Sequence, residues 1–260
     1  MRIFDSHAHY DDPRFEEEFE GGQSAVLAHV FSQGVERVVN IGANIPTSKA
    51  SVALAQKYER IYAAVGIHPN DCGKYGTLED ELSEIKKLAC CDKVVAIGEI
   101  GMDFHWDEPS ADVQREWFDA QLSLAEELDL PVCIHDREAH GQCMDIVRAH
   151  PGARGVFHSF SGSSEMAHEL IGRGWMISFS GVVTFKNATR LEGVVDSIPL
   201  DRMMVETDCP YLSPHPLRGS LNHSGNLVYT ISRIAEIKGI PADELARITY
   251  ENACGFYGIK

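Results

Sequence analysis

Long apolar runs are missing from this 260-residue chain. None approaches the ~18 residues that a membrane-spanning helix requires, so no membrane contact is expected. The first residues carry no basic patch followed by an apolar core, so no secretory leader is expected either. Positive charge is scarce: 23 Lys and Arg stand against 39 Asp and Glu, a net charge of -16. That balance excludes the coating of nucleic acid by a broad basic face. It does not exclude a local site in which metal ions supply the positive charge. Paired cysteine patterns are also missing. The seven cysteines are odd in number, and their spacings fit neither a zinc framework nor a redox C-x-x-C. Scattered thiols predict a reducing, cytoplasmic setting.

Low-complexity tracts, long linkers and internal repeats are absent as well. What is there is ordinary globular composition, 44% hydrophobic and 24% charged. A chain of this length buries roughly three quarters of its unfolded surface. The expectation is one domain over residues 1–260, because α/β barrels of this size form a single unit.

A rhythm runs through the chain. Short β-rich runs fall at 2–6, 36–41, 61–67, 93–98, 131–135, 155–159, 175–180 and 202–207. Segments with helical spacing lie between them. Val26, Leu27, Val30 and Phe31 share one face of 23–33, and Val113, Trp117, Phe118, Gln121, Leu122 and Ala125 share a stripe in 111–129. Thr77 with Asp80 predicts the start of a helix at 78–89. Ser163 predicts the start of one at 164–173, and Gly174 its stop. Eight strands alternating with helices imply parallel pairing through crossovers, and the predicted fold is α/β, a single (β/α)8 TIM-type barrel.

Barrels carry their chemistry at the C-terminal ends of their strands. Six of the eight runs end there in a histidine or an acid: His7 and His9, His68, Glu99, His135, His158 and Asp208. Singly, each has a plain structural explanation; an H-x-H is often incidental, and an aspartate can cap the next helix. Together, at matching positions, they point to metal. Alternate residues of a strand face the same side, so His7 and His9 point together. Imidazole and carboxylate are the ligands that divalent metals such as Zn, Mg or Mn use. The set exceeds the needs of one tetrahedral ion and suits a pair about 3.5–4 Å apart, with Glu99 placed to bridge. Of the remaining histidines, His29, His140, His150 and His168 are expected at the surface of helices. His105 and Trp106 are expected to wall the cleft. The acidic run at 16–20 reads as a solvated helix face.

These residues resemble a known family. "FDSHAHYDD", "VGIHPND", "AIGEIGMDF", "LPVCIHDREA", "GVFHSFSG", "VETDCPYLSP" and "TYENACGFYG" are similar, over essentially the whole chain, to the motifs of the TatD-like metal-dependent hydrolases of the amidohydrolase superfamily. The resemblance implies a distorted barrel, one or two divalent ions, and hydrolysis of phosphoester bonds, often as a deoxyribonuclease acting at DNA 3′ ends. By position it implies His7, His9, Glu99 and Asp208 around one metal and Glu99, His135 and His158 around the other. Asp208 would also take a proton from the attacking water, which makes Asp208 and Glu99 the catalytic pair. His68, Arg137, Lys186 and Arg218 are candidate contacts to a phosphoester substrate.

The chain departs from the family on the substrate side. Members usually follow Arg-Gly with a basic pair and Asn-Glu-Pro, but here Ser220 and Leu221 replace the pair and His223-Ser224 replaces Glu-Pro. "HPN" at 68–70 replaces a commoner "HPH". Competing readings are therefore cleavage of another ester or amide, such as D-aminoacyl-tRNA, and a non-catalytic metal-binding barrel.

Overall fold

Eight strands follow one another in chain order through a single sheet: β1 (Ile3–Ala8), β2 (Val35–Ile41), β3 (Ile61–Val65), β4 (Val94–Asp103), β5 (Val132–Arg137), β6 (Gly155–Phe157), β7 (Met176–Phe179) and β8 (Met203–Val205). Ten helices lie among them: α1 (Arg14–Glu18), α2 (Gly22–Ser32), α3 (Ile45–Lys57), α4 (Leu78–Ala89), α5 (Ala111–Leu128), α6 (His140–Ala149), α7 (Ser164–Gly172), α8 (Thr189–Ser197), α9 (Leu227–Lys238) and α10 (Ala242–Tyr257). At least one helix follows every strand, and a parallel bridge joins Ala8, at the end of β1, to Cys209 beyond β8. This is a (β/α)8 barrel. The computed structural model describes residues 1–260. All seven cysteines are free, and no helix is long and apolar enough to cross a membrane.

The expected helix signals are present. Thr77 accepts from the Asp80 N–H at the start of α4, Ser163 accepts from the Met166 N–H at the start of α7, and Gly174 follows α7 with φ 88°. Each cap is worth about 1 kcal/mol. Two expectations need correction. Glu99 does not end its strand: β4 continues to Asp103, because Gly101, Met102 and Asp103 find ladder partners in His135, Asp136 and Arg137. His150 is not a surface residue; it is 9% exposed, and acids from α5 hold it.

The chain divides into two compact units, residues 1–39 with 159–260 and residues 40–158. In the first, every residue of β1 is buried. Phe4 stacks on Tyr257 and meets Tyr250 edge-on, each at 6.0 Å between ring centroids, so α10 closes over β1. Tyr10 stacks on Phe15 at 4.9 Å. Each such buried ring contributes about 1.5–3 kcal/mol.

In the second unit β3 to β6 pair in parallel. Asn44 and Thr47 form a reciprocal capping box at the start of α3. The buried face of α5 carries Trp117, Phe118, Leu122 and Ala125, and with them two fully buried amides, Gln114 and Gln121. Their spacing of seven residues returns them to one side of the helix.

Candidate metal centre

In the first unit the parallel bridge after β8 sets one group of ligands. The Asp208 N–H donates to the His7 carbonyl at 2.9 Å, and the His9 N–H to the Cys209 carbonyl at 2.8 Å. Three donor atoms then converge. His7 Nε2 and His9 Nε2 are 3.2 Å apart, and Asp208 Oδ1 lies 3.6 Å from the first and 3.4 Å from the second. Asp208 adopts φ 56°, a left-handed conformation that aspartate tolerates.

Buried polar groups hold this arrangement. Asp5 is fully buried; its Oδ1 accepts from the His7 and Thr207 N–H groups, and its Oδ2 from the Thr207 and Ser224 hydroxyls. Burial pushes its carboxyl up to about 7 against those four bonds. Asn222, also fully buried, donates Nδ2 to the carbonyls of Thr207 (3.1 Å) and Tyr211 (2.7 Å), on both sides of Asp208. Part of the sequence departure around it is internal. Ser224 is buried against Tyr10 and Asp5, and His223 packs on Phe19 and His29.

In the second unit the ligands come from neighbouring strands. His135 Nδ1 lies 2.7 Å from Glu99 Oε1, His158 Nε2 lies 2.8 Å from the same oxygen, and the two imidazole nitrogens are 3.1 Å apart. Glu99 falls where the β4–β5 register shifts between Ile97 and Ile100, and its N–H donates to Gly42. Gly98 and Gly101 flank it for a reason. A Cβ at residue 98 would lie 2.7 Å from Cys133 Cβ, and one at residue 101, where φ is 143°, would overlap the His135 carbonyl.

His68, expected at the substrate, plays two parts. Its Nδ1 accepts from the Asn70 N–H and caps a short turn, while Nε2 lies 3.8 Å from Glu99 Oε1. Burial, and then the neighbouring His135, push its pKa down to about 3, so it stands neutral. The α5 amides fix the chain on both sides of this cluster. Gln121 accepts from the Ile67 N–H at 2.7 Å and donates to its carbonyl, and Gln114 does the same for Asp103.

Asp103 escaped the reading of the sequence. Its Oδ2 meets His135 Nε2 at 3.3 Å and accepts from Asn70 Nδ2 at 3.2 Å, and its Oδ1 accepts from the His105 N–H at 2.9 Å. A carboxylate on the far nitrogen fixes the tautomer and ring orientation of a ligating histidine. Burial opposes the charge on Asp103, but the bonds from His135 and His105 win and hold its pKa down to about 2. Burial likewise opposes protonation of His135, and Asp103 and Glu99 outweigh it, so its pKa is raised. Asp103 lies at the end of β4, five residues past the expected end of that strand, so no local signal in the sequence marks it.

Metal–ligand bonds of about 2.0–2.2 Å place neighbouring ligands roughly 3.0–3.5 Å apart. The first trio has edges of 3.2, 3.4 and 3.6 Å, and the second 2.7, 2.8 and 3.1 Å. The first trio lies near that range, whereas the second is drawn in to hydrogen-bond contacts that a bound ion would open; both are imidazole and carboxylate sets, so the residues present fit divalent ions in chemistry. The remaining candidates belong to neither trio. Arg137 ends β5 and is exposed, as are Lys186 and Arg218. The Arg218 guanidinium lies 3.7 Å from the centroid of the Phe185 ring.

The profile of a family described as "TatD related DNase" matches residues 4–258. The chain belongs to the TatD family. A Bacillus subtilis relative, YabD, described as an uncharacterized metal-dependent hydrolase, is 41% identical over 261 residues, which cover 99% of this chain and 100% of the relative. The crystal structure of the TatD homolog YJJV from Escherichia coli K12 superposes with a TM-score of 0.91 at 29% identity, over 100% of this chain and 99% of that one. A TatD-family hydrolase from Entamoeba histolytica shares the fold, with a TM-score of 0.86 at 22% identity over 100% of this chain and 99% of that one. This TatD-family chain is thus a metal-dependent hydrolase, and its histidine and acid trios are its candidate ligands.

Proposed function

We propose that the protein hydrolyses phosphoester bonds with two divalent ions and acts on DNA 3′ ends. The observation that carries this reading is the pair of convergent histidine–carboxylate trios in a chain of the TatD family. By the family resemblance, His7, His9, Glu99 and Asp208 would hold one ion and Glu99, His135 and His158 the other. Bound, such ions lower the pKa of a coordinated water to about 7 and offset charge building on phosphorus. The chain supplies the rest. Asp208, 15% exposed at its side chain, orients the attacking water and takes its proton. Neutral His68 is placed to donate to a phosphate oxygen or the leaving group. Asp103 keeps His135 in one tautomer. Arg137, Lys186 and Arg218 are exposed cations for the flanking phosphates, with arginine suited to bidentate contact. Within the departure Ser224 is buried and bonded to Asp5, while Ser220 and Leu221 remove the basic pair on the substrate side.

The test is exhaustive chelation followed by addition of Mg²⁺, Mn²⁺ or Zn²⁺. Single-stranded DNA labelled at its 5′ end, a bis-aryl phosphate and a D-aminoacyl ester are assayed side by side. Chelation should silence the protein, and metal should restore cleavage of the two phosphodiesters with nucleotides leaving from the 3′ end. Activity that survives chelation, or restoration on the aminoacyl ester alone, would overturn the proposal.

A further inference from the structure

The loop that leaves β4 carries an unused feature. Trp106 is 56% exposed, whereas Trp117 and Trp175, the other two tryptophans, are buried. Its position is held. The His105 ring meets it edge-on at 4.9 Å and 84°, His105 Nδ1 lies 3.2 Å from Glu138 Oε1, and the His105 N–H donates to Asp103. Beside it lies a cleft of about 410 Å³ lined by Asn70, Trp106, Asp107 and Glu108. The Asp103 carboxylate therefore anchors both walls of the cleft, through His105 and through Asn70, and also contacts His135.

The chemistry of this cleft is one-sided. It offers an aromatic face and two acceptor carboxylates, Asp107 and Glu108. No basic side chain lines it, so it repels a phosphate. It suits a planar, uncharged group with N–H donors, two hydrogen bonds away from a metal-ligating histidine. We propose that this cleft is a nucleobase subsite, in which a base stacks on Trp106 and offers its amino group to Asp107 and Glu108. The inference rests on the phosphoester reading and deepens it by naming the substrate's base as a point of recognition. Cytosine carries an N4 amino donor that a carboxylate accepts. Thymine presents carbonyl oxygens there and meets like partial charge. The subsite therefore favours amino-bearing bases over thymine.

The test needs no turnover. With ¹⁵N-labelled tryptophan the protein gives three indole N–H signals, and Trp106→Phe identifies one by its loss. Deoxycytidine should move that signal alone and saturably, at least threefold more tightly than thymidine, and deoxyribose should not move it. A signal that stays still, or that moves equally with thymidine, deoxyribose or an alkyl diamine, overturns the subsite. A second arm measures KM. Trp106→Ala should raise KM about tenfold, the weight of one stacked base, for an oligonucleotide ending in deoxycytidine, with kcat unchanged and no effect on one whose terminal nucleotide is abasic. Equal loss on both overturns the proposal. If nucleosides shift Trp106 while the wild-type protein cleaves no oligonucleotide with metal present, the subsite stands and the phosphoester reading falls.

Discussion

The two ligand trios are built by different means. Glu99 and His135 lie inside β4 and β5, and His158 directly follows β6 with its N–H bonded to the Ile134 carbonyl. Sheet hydrogen bonds set their backbones. In the other trio only His7 lies in a strand; His9 and Asp208 stand beyond strand ends, and side chains as distant as Asn222 hold them. The strand-borne trio is the tighter of the two, with edges of 2.7–3.1 Å against 3.2–3.6 Å. It also faces a further carboxylate, Asp103. A sheet ladder sets the backbones of its ligands directly, with side chains such as Gln114 bracing its flanks, whereas a loop-borne ligand is only as well placed as the polar groups that brace it.

The largest effect is expected where one atom serves two histidines. Glu99 Oε1 is the common partner of His135 and His158. Glu99→Ala removes it while leaving the ladder intact. We expect kcat to fall more than about 100-fold, beyond the usual range for losing a partner of a ligand, with bound metal reduced and circular dichroism unchanged. A variant that keeps near wild-type turnover on a bis-aryl phosphate would remove Glu99 from the chemistry.

A smaller, paired experiment sharpens the contrast. Gln121→Leu leaves the buried Ile67 N–H and carbonyl without their amide partner, and Asn222→Ala does the same to the Thr207 and Tyr211 carbonyls. Each should cost about 1–3 kcal/mol by urea unfolding. Their effects on turnover should differ. Asn222→Ala frees the turn that carries Asp208 and should lower kcat about 10–100-fold. Gln121→Leu should leave kcat within a few-fold, because the ladder still sets Glu99 and His135. Equal kcat losses would mean that strand and loop ligands depend on their braces alike.

The same contrast explains what the sequence revealed. The strands announced themselves by apolar runs, and their ends by the histidines and acids that follow. His7, His9, Glu99, His135, His158 and Asp208 were legible because each sits next to such a run. Asp103 was not, because the expected strand ended at Gly98 and nothing local shows that the ladder continues past a glycine-flanked register shift. Asn70, Asn222 and Gln114 are common polar residues whose partners lie 11 to 33 positions away or on loops. Their roles exist only in three dimensions. Gln121 was seen on the buried stripe of α5, but the backbone it serves was not.

His150 shows the same blindness away from the trios, and it supplies the smallest of the predictions. It caps the C-terminal end of α6, where helical periodicity suggests solvent. In the structure its Nδ1 meets Glu126 Oε2 and its Nε2 meets Asp119 Oδ1, both at 3.0 Å. Burial opposes protonation, but the two carboxylates outweigh it and hold the imidazole above its ordinary 6.5. A neutral ring has only one N–H and turns a lone pair toward the second acid; the charged ring satisfies both. Because the folded pKa is raised, the stabilisation is fully present below pH about 6.5 and is lost as pH rises through the folded value. Asp119 is 59% exposed at its side chain, so solvent screens the pair and the contribution should be about 1 kcal/mol or less. His150→Gln should remove this component: the difference in urea midpoint between acid and alkaline buffer should shrink toward zero at this site, with turnover unchanged. A variant whose stability falls equally at both ends of that range would mean that the imidazole acts by packing, not by charge.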